Sequence, residues 1–236
     1  MLHKAASLSF FSMVLYLRNS YLFPILQVHM PSRQWDYFMD NFFGDPYMMW
    51  HDGIDTTSVC RLEGAERDRA EDMLIESMKE GSYWAPMGLR ELRSEKAVPI
   101  MNEMLSSVSG NLLIEIAIAL NVIEETTEYN EYLLRVLQHY PSPYTRLRAA
   151  MKLRDFPTPE VIEALFDAVS DVDYLVRNHA SESLLAIHGL TPTISEYKEI
   201  FKLIIVDADK GNRKNTKEAA AAYKKAKEML RALFEK

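Results

Sequence analysis

Apolar residues recur at three- and four-residue intervals through most of this chain, which is the spacing of one face of an α-helix. Between residues 66 and 80, for example, these positions hold Ala70, Met73, Leu74 and Met78. Glycine and proline separate this segment from the next ones at short intervals, as they do between helices. The pattern predicts an all-α chain of helices joined by short turns.

The predicted helices pair into four hairpins, each with a first helix and a second helix. The first helices are 66–80, 97–107, 128–139 and 159–169, and the second helices are 83–93, 112–122, 144–154 and 174–188. Residues 112–122 are nearly all apolar, so we expect this helix to be buried on both sides. A helix at 33–43 and an irregular segment precede the hairpins, and two longer helices at 194–206 and 217–234 follow them.

The second helices repeat one motif of arginine, alanine and leucine at helical spacing. Arg177, Ala180 and Leu184 form the clearest copy, and Arg146 begins another copy 31 residues earlier. Self-similarity at such a period indicates helical hairpins stacked side by side. We therefore predict a right-handed α-α superhelix of about four hairpins between N-terminal and C-terminal helical caps.

One hairpin is specific enough to suggest a family. It starts with the sequence Thr-Pro-Glu-Val-Ile-Glu-Ala-Leu at 158–165 and continues through Asp171, Asp173, Arg177, Ala180 and Leu184. This unit resembles a HEAT repeat, the unit at 128–154 is similar to it, and the earlier two match less closely. The resemblance implies an all-α, armadillo-like stack of helices. It also implies that the chain is one of the small stand-alone HEAT-repeat proteins of bacteria.

The resemblance also implies a structural role for two polar positions. In HEAT repeats a turn aspartate and a second-helix arginine, here similar to Asp173 and Arg177, bridge neighbouring repeats. Residues 114–120 lack the arginine and have Glu115 nearby. We expect the bridge to be interrupted or replaced there.

These patterns divide the chain into four regions. We predict an apolar extension at 1–29, an aromatic N-terminal cap at 30–65, HEAT-like repeats at 66–190 and a C-terminal helical cap at 191–236. The apolar stretch in residues 2–28 is broken by Arg18, Asn19 and Ser20, whereas a spanning helix needs about 20 mostly apolar residues. A secretory signal or a membrane anchor stays open beside the simpler hypothesis of an upstream extension.

Composition narrows the function classes. The 236 residues carry a formal net charge of −7 at pH 7, which argues against a general nucleic-acid binder because phosphate contacts are normally made by a basic domain. Cys60 is the single cysteine, so one chain forms neither a disulfide nor a thiolate metal cluster. We expect a cytoplasmic monomer with no membrane contact unless residues 2–28 act as an anchor.

Catalytic and metal-binding patterns are weak. The pair His51 and Asp52 lacks the further ligands of a metal phosphohydrolase site, and residues 207–218 place glycine one position early for a calcium loop and are rich in lysine and arginine. His139, His179 and His188 stand without an adjacent nucleophile. We therefore predict no catalytic residues, no metal and no cofactor.

Charge patterning points instead to a binding surface. Second helices line the concave side of such stacks, and here they are rich in arginine and lysine, whereas the first helices are acidic. The predicted partner-binding residues are Tyr83, Trp84, Arg90, Arg93, Arg146, Arg148, Lys152 and Arg177. A second aromatic group, Trp35, Tyr47 and Trp50, serves either as further anchors or as the core of the N-terminal cap.

We therefore expect a non-enzymatic module that binds an acidic surface of a protein partner through a basic concave face. By resemblance it is a regulatory adaptor or an immunity protein that neutralises a toxin. The alternatives are a HEAT-like nucleic-acid-processing enzyme of the DNA glycosylase type and a scaffold subunit associated with a lyase. Reversing Arg90, Arg93 and Arg148 to glutamate is predicted to abolish partner binding and to leave the helices intact.

Overall fold

The computed structural model describes residues 31–208 and 211–235, and all regular secondary structure within these ranges is helical. The predicted apolar extension at 1–29 lies outside the described residues. The α-helices are α1 Arg33–Phe43, α2 Pro46–Asp52, α3 Gly64–Lys79, α4 Ala85–Leu92, α5 Val98–Met104, α6 Gly110–Ile123, α7 Asn130–His139, α8 Pro143–Leu153, α9 Pro159–Ala168, α10 Tyr174–Ile187, α11 Lys198–Ile204 and α12 Arg213–Phe234. Short 3₁₀ helices lie at Thr56–Arg61, Glu95–Ala97 and Ile194–Glu196.

The four predicted hairpins are present as α3 with α4, α5 with α6, α7 with α8 and α9 with α10. Local chemistry explains where the helices begin and end. The Thr158 hydroxyl accepts a hydrogen bond from the Val161 amide at 3.3 Å, and Pro159 occupies the first position of α9. Pro86 lies in the first turn of α4, where its missing N–H breaks no hydrogen bond.

The segment between α1 and α3 is more regular than predicted. Instead of an irregular loop it contains α2 and a 3₁₀ helix, because each has its own capping aspartate. Asp45 accepts hydrogen bonds from the amides of Tyr47 and Met48, and Asp55 accepts one from the Thr57 amide at 3.0 Å. The Thr57 hydroxyl also donates a hydrogen bond to the Asp55 carboxylate, and this bond lowers the pKa of Asp55.

The hairpins stack in two layers around one continuous core. Second helices pack on second helices in the order α4, α6, α8 and α10, and the first helices α7 and α9 also contact each other. Each layer contributes fully buried side chains, among them Leu89, Ile114, Leu120, Leu153, Leu165 and Leu184. These residues come from all four hairpins, so the core spans every hairpin. Burying each such side chain stabilises the fold by about 1.5–3 kcal/mol. The fold is an all-α stack, and its right-handed sense stays a prediction.

The C-terminal helices close the stack at the α9 and α10 end. The amphipathic helix α12 packs on α11 and buries Tyr223, Ala226 and Leu230. Its last turns also reach back to α9, where the Arg231 guanidinium binds the Glu163 carboxylate at 2.7 and 3.0 Å. The charged outer side of α12 stays exposed, as a terminal unit requires.

Candidate functional site

The four second helices α4, α6, α8 and α10 form one surface, named here the second-helix row. Every predicted partner-binding residue lies on it or immediately beside one of its helices. Three of these residues, Tyr83, Arg90 and Arg148, meet around Glu115 of α6. We call these four residues the Glu115 cluster.

Glu115 is a carboxylate placed inside the stack. Its side chain has an exposure of 0%, and the Arg148 guanidinium donates to its Oε1 from Nη2 at 2.7 Å and from Nε at 3.2 Å. Arg90 Nη1 lies 3.6 Å from Oε2, and Oε2 accepts no hydrogen bond within the described residues. A buried carboxylate is costly unless it is paired, and here the hydrogen bonds from Arg148 compensate it, with the Arg90 charge nearby.

Tyr83 and Trp84 lie at the edge of this cluster and are half-buried. The guanidinium carbon of Arg148 is 5.3 Å from the centre of the Tyr83 ring, a cation–π distance. Burial raises the pKa of Tyr83, and the Arg148 charge opposes part of that rise. Trp84 packs against Tyr83 with ring centres 4.4 Å apart. The aromatic pair therefore supports Arg148 and presents only part of its surface.

The Glu115 cluster replaces the bridge that HEAT repeats make between neighbours. We predicted that this bridge is interrupted or replaced at 114–120, and the structure shows the replacement. Arg90 and Arg148 come from the hairpins on either side of Glu115, so one carboxylate joins three successive second helices. Reversing these two arginines to glutamate would gather carboxylates around a buried one, so we expect that change to destabilise the helices rather than leave them intact.

The inter-repeat bridge itself is present at two places, but its aspartates differ from the one predicted. Arg146 binds Asp171 through two hydrogen bonds of 2.8 and 2.9 Å, and Arg177 binds Asp207 at 2.8 Å. Asp173 instead caps α10 by accepting from the amides at its first turn.

Burial removes Arg146 and Arg177 from the predicted binding set. Arg177 has an exposure of 0%, and its guanidinium donates to the backbone carbonyls of Ile204, Asp171, Val172 and Val206. Arg146 is 8% exposed and also donates to the carbonyls of Tyr140 and Pro141. Both side chains are fully used inside the stack, so neither is free to contact a partner.

Among the predicted site residues, Arg93 and Lys152 carry the positive charges that other groups of the chain compensate least. Arg93 binds Glu125 at 2.8 Å in a pair whose side chains are 58% and 76% exposed, so solvent weakens that attraction. Lys152 is half-buried and makes no ion pair within the part of the chain that the structure describes. Their charges are therefore the most available to a partner.

A groove of about 450 Å³ opens on the second-helix row between α6 and α8. Its lining residues are Asn111, Tyr144, Thr145, Leu147, Arg148, Met151 and Lys152. Only Arg148 and Lys152 were predicted as site residues. Tyr144 is 71% exposed and was not predicted as a site residue. An aromatic residue at the start of a second helix is nevertheless a signal that the sequence contains.

The second aromatic group divides between core and surface. Trp35 is buried against Phe38, as a cap residue is. Tyr47 and Trp50 on α2 are 64% and 71% exposed, with Met48 exposed beside them. Trp35 therefore belongs to the core of the N-terminal cap, and the role of Tyr47 and Trp50 as anchors stays a prediction.

Other chemical groups stand apart from the groove. His51 Nδ1 lies 2.6 Å from Asp52 Oδ1 on the exposed end of α2, and His188 stacks on Phe234. Within residues 31–208 and 211–235, no group of three or more histidine, cysteine or acidic residues could hold a metal ion. No helix of the same ranges is long and apolar enough to cross a bilayer.

Comparison with protein families matches residues 130–219 to HEAT repeats. These residues, from α7 into α12, match HEAT repeats, so the predicted HEAT-repeat character is confirmed for this part of the chain. HEAT repeats are typically non-enzymatic scaffolds that mediate contacts between proteins. Neither the curated proteins nor the solved structures gave a match to this chain.

Proposed function

We propose that this chain is a non-enzymatic interaction module that binds an acidic surface of a protein partner through the second-helix row. The observation that carries the proposal is the groove between α6 and α8, where cationic side chains lie beside the exposed Tyr144 and the half-buried Leu147 and Met151. Buried apolar anchors with a charged surround are typical of protein interfaces. The chain as a whole has a net charge of −7, so the positive charge of the groove is a local feature of this surface.

The binding set is smaller than the sequence predicted. With Arg146 and Arg177 committed to the bridges, the remaining cations are Arg90, Arg93, Arg148 and Lys152. Glu91, Glu115 and Glu125 compensate three of these four charges in the free protein. The surface is therefore weakly basic, and we expect it to select partners by the position of a few carboxylates rather than by total charge.

The few uncompensated cations of the second-helix row disfavour a nucleic-acid-processing enzyme of the DNA glycosylase type. A protein that binds DNA neutralises several phosphates with free lysine and arginine side chains. On the second-helix row most guanidiniums already bind carboxylates or carbonyls of this chain. A regulatory adaptor or a toxin-neutralising immunity protein fits the same surface better, because either needs one shape-matched protein partner.

The test compares two charge reversals of equal size. The variant Arg93→Glu, Lys152→Glu changes the second-helix row, and the control Lys198→Glu, Lys224→Glu changes exposed lysines of α11 and α12. Each full-length protein is used to capture partners from cells of the source, and the captured proteins are identified by mass spectrometry. The affinity of the purified partner is then measured for the parent and both variants.

The proposal predicts that the row variant loses a partner that the parent and the control both bind. Affinity for that purified partner should also fall as salt rises from about 50 to 300 mM, since exposed charges are screened over this range. Equal binding by all three proteins would refute the assignment to the second-helix row. Tight, salt-sensitive binding of a double-stranded DNA oligonucleotide by the parent would refute the protein-binding class.

A further inference from the structure

The groove between α6 and α8 has two chemically different walls. Along α8, Arg148 and Lys152 are one helical turn apart, and so are Leu147 and Met151. The cationic pair and the apolar pair therefore form two adjacent rows. Tyr144 adds an exposed aromatic ring one turn before, and Asn111 of α6 provides an amide on the opposite side.

The two cations are held differently. Nε and Nη2 of Arg148 are both bound to Glu115, so the guanidinium is fixed in orientation and its Nη1 is not used by that carboxylate. Lys152 has no ion-pair partner within the described residues, and its flexible stem lets the ammonium move toward an incoming charge. One fixed donor beside one adjustable donor is suited to a single carboxylate.

The volume also restricts the occupant. About 450 Å³ lies within the range of roughly 300–1,000 Å³ that is usual for small ligand sites. The groove therefore takes a short element of a partner, such as two or three adjacent side chains. Its apolar row needs an apolar side chain, and its cationic row needs an acidic one.

We infer that the groove binds a peptide segment of the partner in which an acidic side chain stands next to a large apolar one. The carboxylate binds between Arg148 and Lys152, and the apolar side chain packs on Leu147, Met151 and Tyr144. This inference rests on the proposed function and adds to it the chemistry that the partner must present. Glu115 acts as a positioning residue, because it fixes the Arg148 guanidinium through two hydrogen bonds. Its own negative charge does not attract the carboxylate of the peptide.

The test uses synthetic peptides and the full-length chain. The probe is a fluorescein-labelled decapeptide with a central glutamate–leucine–glutamate in a glycine–serine frame, and a second probe has phenylalanine in place of leucine. Control peptides replace either both glutamates by glutamine or the apolar residue by glycine. Binding is measured by fluorescence anisotropy for the parent, for Lys152→Gln and for the matched control Lys224→Gln.

We expect saturable binding of at least one probe and weaker binding of both control peptides. Lys152→Gln should weaken binding about five- to tenfold, as removal of one charge-assisted contact does, whereas Lys224→Gln should not change it. Equal binding of probes and control peptides, equal affinity of Lys152→Gln and the parent, or no binding of either probe would overturn the inference.

The two proposals fail in different ways. If neither probe binds but the variant Arg93→Glu, Lys152→Glu still loses the cellular partner, the second-helix row stands and the peptide inference is wrong. If the cellular partner is captured equally by all variants, the proposed function is wrong, whatever the peptides do.

Discussion

The Glu115 cluster gives the sharpest prediction about stability, through the substitution Glu115→Gln. Glutamine keeps the size of the side chain but removes the charge that compensates Arg148 at 2.7 Å and Arg90 at 3.6 Å. Two unit charges about 4 Å apart attract by about 4 kcal/mol at an effective dielectric constant near 20, and desolvation offsets part of this. Removing one partner of a buried pair typically costs about 3–5 kcal/mol.

The exposure of the two arginines sets the value within that range. Arg90 and Arg148 are 17% and 27% exposed, so each guanidinium can turn partly toward water once the carboxylate is gone. We therefore expect Glu115→Gln to cost about 3 kcal/mol, at the lower end of the usual range. For a chain of this length that loss lowers the melting temperature by about 6–12 °C.

The assay is a double-mutant cycle of Glu115 and Arg148. The free energy of unfolding of each variant is measured by urea and thermal unfolding, monitored by far-UV circular dichroism. Arg148→Met alone leaves the buried Glu115 carboxylate with only the more distant Arg90, so it should cost about as much as Glu115→Gln. The double variant should cost less than the sum of the two, with a coupling of about 2 kcal/mol.

A matched control is Arg93→Met, which breaks an exposed ion pair with Glu125 and should change stability by less than about 0.5 kcal/mol. The reasoning is refuted if Glu115→Gln costs less than about 1 kcal/mol, or if the two substitutions prove additive within about 0.5 kcal/mol.

Two further predictions concern groups outside the groove. Arg177→Met removes five hydrogen bonds of a fully buried guanidinium. The free energy of unfolding, measured in urea, should therefore fall by about 3–5 kcal/mol, while the folded protein keeps its affinity for the partner. A stable variant with lost affinity would contradict this. Asp55 has a pKa lowered by Thr57, so its contribution to stability is present above its ordinary pKa near 3.8 and is lost as pH falls through the lower folded value. The stability difference between the parent and Asp55→Asn should therefore shrink as pH falls from about 7 to 3, and a constant or growing difference in urea unfolding would contradict this.

The sequence was sufficient for the helices because periodicity and capping residues are local signals. The bounds of α1 agree with the prediction, and those of α9 differ by one residue at its end. The seven-residue helix α2 was missed because it is too short to show a period, although Asp45 followed by Pro46 is a recognisable helix start.

The site was only partly predictable because it depends on distances between hairpins. Glu115 was recognised as an exception to the repeat, but Arg148 lies 33 residues away, and nothing local shows that the two meet. The same limit explains Arg177, whose motif predicts a bridge but does not show that the side chain is wholly enclosed. Charge patterning counted all these cations as surface charge, whereas burial and pairing remove most of them.

Amide hydrogen exchange of the full-length chain, with and without its captured partner, shows directly which helices the partner covers. We expect the partner to slow exchange around Asn111 in the first turn of α6 and along α8 from Tyr144 to Lys152, and to leave α7 and α9 unchanged. Slower exchange confined to the first helices, or to α2 around Tyr47 and Trp50, would contradict it.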